Sequence, residues 1–284
     1  MFYENTGLVL EGGGMRGSYT AGVLDYFMEK GLMLSHVYGV SAGALIGANY
    51  VCGQVGRGFR TLTGYIGNKD YSGLKHLVKE GNWFNVDFSY NRIPNELDPA
   101  DYDSFSASPM KFFAVIANLE TGCAEYPQLK DLRKDMDWLR ASASLPLLSK
   151  PVPLGDGLYL DGGISDSIPL EKSVADGNTK NVVILTQHRE FVKKPSSNRY
   201  PARLMYRKYP AFVKAMDERH NMYNRQTEYV YQQEKAGTTY VIQPQRPVEI
   251  ARLEKDTSKL RRLYDIGYRD GKKHYENIIR FLSE

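Results

Sequence analysis

A serine set between glycines comes first among the residues able to do chemistry: Gly39, Val40, Ser41, Ala42 and Gly43 spell GxSxG. Between a strand and a helix, small flanking residues permit the sharp turn that projects a serine hydroxyl at a sheet edge as a nucleophile. A second cluster, Gly12, Gly13, Gly14, Met15, Arg16 and Gly17, lets several backbone N–H groups converge on an anion. Acyl transfer needs such an oxyanion hole, because charge grows on the carbonyl oxygen and each placed donor lowers the barrier by about 3 to 4 kcal/mol. The third element is Asp161 with Gly162 and Gly163, a carboxylate at a tight turn. Taken alone it is also one of the commonest turn dipeptides.

Each element has a competing reading. The first glycine cluster also fits GxGxxG, but dinucleotide folds place an acidic residue about 20 positions later to hold the ribose. No Asp or Glu occurs between Glu29 and Asp70, which disfavours a nucleotide-binding oxidoreductase. Ser41, Asp161 and His188 stand in the chain order of an α/β-hydrolase triad. That fold places its nucleophile turn well into the domain, so a histidine satisfied at a strand end is the plainer reading of His188. His36, His76, His220 and His274 show no metal-ligand spacing, and Asp98, Asp101 and Asp103 lack the central glycine and closing glutamate of a calcium loop. No metal and no organic cofactor is expected.

Positioning these residues requires strands that end at them. Gly7 to Leu10 reads as a buried strand running into the glycine cluster, followed by helical spacing of Ala21, Leu24, Phe27 and Met28. His36 to Val40, the turn at Ser41 and an apolar helix from Ala44 to Cys52 repeat the pattern, and two such units argue for a parallel α/β sheet. The signal blurs from Gly53 to Pro109, where only short helices are expected. Further strands are expected at Phe112 to Ala117, Leu158 to Leu160, Val182 to Leu185 and, as the last of the core, Thr239 to Ile242. Helices are expected at Leu129 to Leu139, within Pro201 to Gln233, and from Thr257 to Leu282. The last of these would turn Leu260, Leu263, Tyr264, Gly267, Gly271, Tyr275, Ile278 and Leu282 inward.

The 284 residues, 42% hydrophobic and 25% charged, suit a globular chain rather than a disordered one. Lys and Arg against Asp and Glu give 20 − 22 = −2 for residues 1–199 and 17 − 11 = +6 for residues 200–284. This divides the chain into a catalytic core over 1–199 and a basic helical region over 200–284 that packs on it. Arg203, Arg207, Lys208, Lys214, Arg219, Arg261, Arg262, Lys272 and Lys273 can draw the protein to an anionic membrane surface. Interspersed acids favour a plain solvated exterior, and no nucleic-acid module accompanies the charge. Cys52 and Cys123 lack the pattern of a stapled secreted domain, and no secretion signal opens the sequence, so a cytoplasmic location is expected. The uncharged run from Gly31 to Gly56 is broken by glycines and polar residues and does not read as a membrane span.

Together, the loop at Gly12 to Gly17, the turn at Ser41 and the Asp161-Gly162-Gly163 triplet resemble the patatin-like phospholipase family, with Ala141 to Pro146 resembling its segment leading to the aspartate. The resemblance covers residues 6–190 and implies a three-layer α/β/α fold with a mainly parallel central sheet. It also implies a Ser41-Asp161 dyad that cleaves fatty-acyl esters of phospholipids, lysophospholipids or glycerides through an acyl-enzyme. Gly12, Gly13 and Gly14 would then supply oxyanion donors, and Gly39, Gly43, Gly162 and Gly163 would shape the turns. Arg16 would brace the loop or, as the second choice, attract a phosphate head group. A lipid-binding protein that keeps the fold without catalysis is the alternative of a different class.

Overall fold

The computed structural model describes residues 1–197 and 199–284. Its strands are β1 (Phe2–Leu10), β2 (Met33–Val40), β3 (Lys111–Asn118), β4 (Ala124–Glu125), β5 (Gln128–Leu129), β6 (Val152–Leu154), β7 (Gly157–Asp161), β8 (Lys180–Ile184) and β9 (Thr239–Ile242). The sheet runs β6-β7-β3-β2-β1-β8-β9, parallel from β3 to β9, while β7 and β6 add an antiparallel edge and β4 and β5 pair with β3. The mainly parallel sheet and the last core strand at 239–242 are as the sequence pattern predicts.

Alternation along the strands separates two buried faces. Leu8, Leu10, Val182, Ile184 and Ile242 pack into one cluster with α1 (Gly17–Glu29), α2 (Ala42–Val51), α6 (Leu132–Ser142) and α10 (Thr257–Ser283). Val9, Val183, Leu185 and Val241 face the opposite way, onto Leu170 of α7 (Leu170–Ala175) and Tyr223 and Val230 of α9 (Pro210–Lys235). The three layers follow from this.

Between β2 and β3 lie α3 (Arg57–Thr63), α4 (Leu74–Glu80), a π-helical segment at Phe88–Leu97 and α5 (Tyr102–Ala107), the short helices expected there. Two expected boundaries move. The helix expected from Leu129 starts at Leu132, because Gln128 and Leu129 pair with β3 and the Asp131 side chain accepts the Arg133 N–H at 3.0 Å as its cap. The helical run expected from Pro201 divides into α8 (Arg199–Met205) and α9, with Pro210 in the first turn of the second. Both cysteines are free, Cys52 buried and Cys123 exposed.

The long helix α10 crosses α1 at close range. A Cβ on Gly22 would lie 2.1 Å from the Tyr264 carbonyl oxygen, and one on Gly267 would lie 2.1 Å from that of Tyr19. Tyrosine-carboxylate bonds flank the crossing: Tyr264 donates to Asp25 at 2.7 Å, Tyr19 to Asp270 at 2.8 Å and Tyr268 to Glu29 at 2.5 Å. The inward face expected for α10 is buried except at Tyr264, which stays half-buried so that its hydroxyl reaches Asp25. Among the described residues no helix is long and apolar enough to cross a membrane.

Candidate active site

Ser41 directly follows β2 and adopts φ 55° and ψ −123°, a left-handed conformation that non-glycine residues rarely hold. Its neighbours make the turn possible. A Cβ on Gly43 would lie 2.6 Å from the Leu10 carbonyl oxygen, and one on Gly39 would meet Ala44 Cα at 2.5 Å. The Ser41 N–H donates to Ser142 Oγ at 3.0 Å, and its carbonyl accepts from Ala44 N–H at 2.9 Å, so the turn is tied to both α6 and α2.

Sheet register brings the carboxylate to the serine. Val40 of β2 pairs with Val115 and Asp161 of β7 pairs with the next residue, Ile116, while β4 and β5 run in one register along the opposite side of β3, so the ends of β2 and β7 carrying Ser41 and Asp161 meet on the same side of β3. The two turns are in direct contact, a Cβ on Gly163 lying 3.4 Å from Val40 Cγ1. The Asp161 N–H donates to the Ser144 carbonyl at 2.8 Å, and Asp161 Oδ1 accepts the Gly163 N–H at 2.9 Å.

Asp161 is 2% exposed, and its Oδ2 has no formed hydrogen bond among the described residues. Burial pushes this carboxyl above the ordinary value of 3.8, while the Ser41 hydroxyl, then the Arg219 guanidinium and the Gly163 N–H, pull it back. The Ser41 hydroxyl thus lies near enough to act on the carboxyl, with no formed hydrogen bond to Oδ2 among the described residues.

The glycine loop closes over the serine. A Cβ on Gly12 would lie 3.1 Å from Ser41 Cβ, while Met15 N–H is taken by the Arg252 carbonyl at 3.2 Å and Arg16 N–H by that of Gly13 at 3.3 Å. The amides of Gly12, Gly13 and Gly14 are left without partners among the described residues. No hydrogen bond from the Arg16 side chain braces the loop among those residues; its Nε is buried and unpaired.

Ser41 also lines an apolar cavity of about 150 Å³, walled by Met15, Ile46, Ile93, Leu139 and Leu253. An apolar chamber against a nucleophile suits a hydrocarbon chain.

His188 is elsewhere. Its ring packs edge-on to Phe191 with centroids 6.2 Å apart, its Nδ1 is 3.7 Å from Glu190 Oε2, and neither Ser41 nor Asp161 is among its contacts in the described residues. No group of His, Cys, Asp or Glu suited to a metal ion is found among the described residues, Asp98, Asp101 and Asp103 included. Asp98 instead pairs with Arg57 and Arg60, and Asp101 caps α5.

Several residues of this neighbourhood escaped sequence reasoning. Glu11 is 1% exposed; its Oε2 accepts from Thr186 N–H at 2.6 Å, and its Oε1 accepts from the Tyr223 hydroxyl at 2.9 Å. A charge ending the apolar run Leu8 to Leu10 was the available signal. Ser142 and Ser144 lie in the Ala141 to Pro146 segment of the resemblance without being singled out, Arg219 reads in the sequence only as part of a basic exterior, and Lys193 and Arg252 carry no local pattern.

The family model described as patatin-like phospholipase matches residues 8–173, more than half of the chain. The chain belongs to that family. Membership places it among the hydrolases. A second model, a domain of unknown function (DUF6363), matches residues 209–283. The uncharacterized protein YjjU of Escherichia coli (strain K12) is 27% identical over 98% of the chain and 79% of its own length. Lysophospholipase nte1 of Aspergillus niger is 27% identical over 59% of the chain, which spans only 11% of that protein. Among solved structures, VipD from Legionella pneumophila aligns with a TM-score of 0.52 at 16% identity, covering 98% of the chain and 66% of VipD, and shares the fold.

Proposed function

We propose that the chain is a lipid acyl hydrolase in which Ser41 and Asp161 act as a dyad. The observation that carries this reading is the strained turn at Ser41 set beside a buried carboxyl that lacks a formed hydrogen bond on one oxygen. Asp161 takes the proton of the Ser41 hydroxyl as its oxygen attacks the ester carbonyl. The amides of Gly12, Gly13 and Gly14 stabilise the resulting oxyanion. Asp161 then passes the proton to the departing alcohol, leaving an acyl-enzyme whose chain lies in the apolar cavity. Water, deprotonated by the same carboxylate, releases the fatty acid and restores the serine.

A buried carboxyl with raised proton affinity is suited to this exchange, since a base works best when its pKa approaches the working pH. Supporting the substrate class are the apolar cavity, the family, and the name of the fungal lysophospholipase.

The test uses a fluorophosphonate probe and a short-chain nitrophenyl ester. Wild-type protein is expected to be labelled and active, Ser41→Ala unlabelled, and Asp161→Asn slower by at least about a thousandfold, as for removal of a nucleophile's base in other serine hydrolases. His188→Ala is expected to stay within a few fold of wild type. Labelling that survives in Ser41→Ala ends the reading, and near-complete loss in His188→Ala replaces the dyad with a triad.

A further inference from the structure

Beyond the patatin-like match, three cations gather around the glycine loop and the turn after Asp161. Arg219 on α9 donates its Nε–H to the Gly163 carbonyl, and its Nη2 lies 3.2 Å from where a Gly163 Cβ would be. Arg252, between β9 and α10, sets its Cγ 2.8 Å from the Cβ position of Gly14 and borders the apolar cavity. Lys193, between β8 and α8, is fixed by the Asn224 side chain, which accepts its N–H at 2.9 Å and donates to its carbonyl at 3.1 Å. Its Nζ lies 4.2 Å from the Tyr223 ring centroid. Arg16 completes the group, all within electrostatic reach of one another.

Among the described residues none of these four side chains has an ion-pair partner. The nearby carboxylates are engaged by neutral donors: Glu11 by Thr186 and Tyr223, Asp161 by Gly163. Three arginines against these two acids give 3 − 2 = +1, and Lys193, when protonated, raises the surplus to +2. Arg252 is exposed, but Arg16, Lys193 and Arg219 are partly buried, and partly buried cations without counter-ions are costly to hold. Lys193 shows that cost, driven down to about 7 by burial and then by Arg219.

We propose that this cationic wall is a phosphate site, binding the phosphate of an acyl ester whose chain occupies the apolar cavity. Arg219 and Arg252 of the region of unknown function, with Lys193 before it and Arg16 on the glycine loop, thereby select phosphate-bearing substrates for Ser41. A phosphate monoester carries a charge of about −1.5 to −2 at neutral pH, which matches the surplus. Arg219 and Arg252 both act on Asp161, so the wall addresses one ligand at the reacting groups rather than a broad surface. Arg252, touching cavity and wall together, marks where chain and phosphate would diverge.

This inference rests on the hydrolase reading for its substrate, so binding and turnover are tested separately. In calorimetry on Ser41→Ala protein, inorganic phosphate and glycerol 3-phosphate are titrated with and without Lys193→Met or Arg252→Gln. Both ligands are expected to bind, and each substitution to weaken glycerol 3-phosphate at least about tenfold, the scale of a charge-assisted hydrogen bond. Lys193→Arg, which keeps the charge, is expected to retain binding and controls for a folding defect. Binding of inorganic phosphate alone, or binding indifferent to all substitutions, overturns the proposal. In turnover, kcat/KM for a 1-acylglycerol 3-phosphate relative to the monoacylglycerol of the same chain is expected to fall about tenfold in each charge-removing variant, and an unchanged ratio overturns it. Phosphate binding that depends on these charges, with no hydrolysis of any ester, supports the site while ending the hydrolase reading.

Discussion

Asp161 is where one residue's environment decides the chemistry. In water a carboxylate is a weak base at neutral pH, and burial corrects this by raising its proton affinity. As the proposed base Asp161 acts in its unprotonated form, so kcat/KM is expected to rise with pH through a midpoint above 3.8, and a midpoint at or below 3.8 would exclude Asp161 as the base. Arg219 opposes the shift as a nearby positive charge and positions Gly163 through its carbonyl. Removing that charge in Arg219→Gln is expected to move the same midpoint upward, whereas a merely structural role would lower kcat without moving it. Ser41, Asp161 and the glycines were legible in the sequence because turns of this kind tolerate few residue types. Arg219 was not, since an arginine on a helix looks alike whether it faces water or a neighbouring loop.

Among the elements, the pairing of α1 with α10 carries a strong constraint. Gly22 and Gly267 let the two backbones meet, and any Cβ at Gly267 enters the space of the Tyr19 carbonyl. Gly267→Ala is expected to cost about 1 to 3 kcal/mol as the helices separate. Thermal unfolding would then fall by about 2 to 4 °C per kcal/mol for a chain of this size. An unchanged midpoint would mean that the helices are not in contact at this residue. The consequence reaches the site, because α1 starts at Gly17, immediately after the glycine loop. Periodicity located α10 and its inward face, yet it could not say that α1 was the partner. That depends on two faces about 240 residues apart having matching glycines, which no local window contains.

For the whole molecule, the C-terminal region is part of the core. Strand β9 pairs with β8, and Leu263, Tyr275, Ile278 and Leu282 share one cluster with Leu8 and Leu10. A version ending after Gln245 is expected to lose cooperative unfolding and to bind a hydrophobic dye, because α1 and one sheet face would be uncovered. Retention of a sharp wild-type transition would show an independent core instead. The basic surplus of this region divides on folding: Arg207, Lys208, Lys214, Arg261, Arg262, Lys272 and Lys273 are exposed, as a solvated exterior requires, while Arg219 turns to the site. The sequence by itself determined the local decisions: which strands end in turns, where the tight turn at Ser41 sits, and which residue types surround it, because backbone sterics and hydrophobic period act over a few residues. Only the tertiary structure decided that β7 runs antiparallel beside β3, setting Asp161 level with Ser41, and that cations from three later segments converge on the glycine loop. Strand order and the packing of distant segments are set by competition among long-range contacts, and a linear pattern does not record which of them wins.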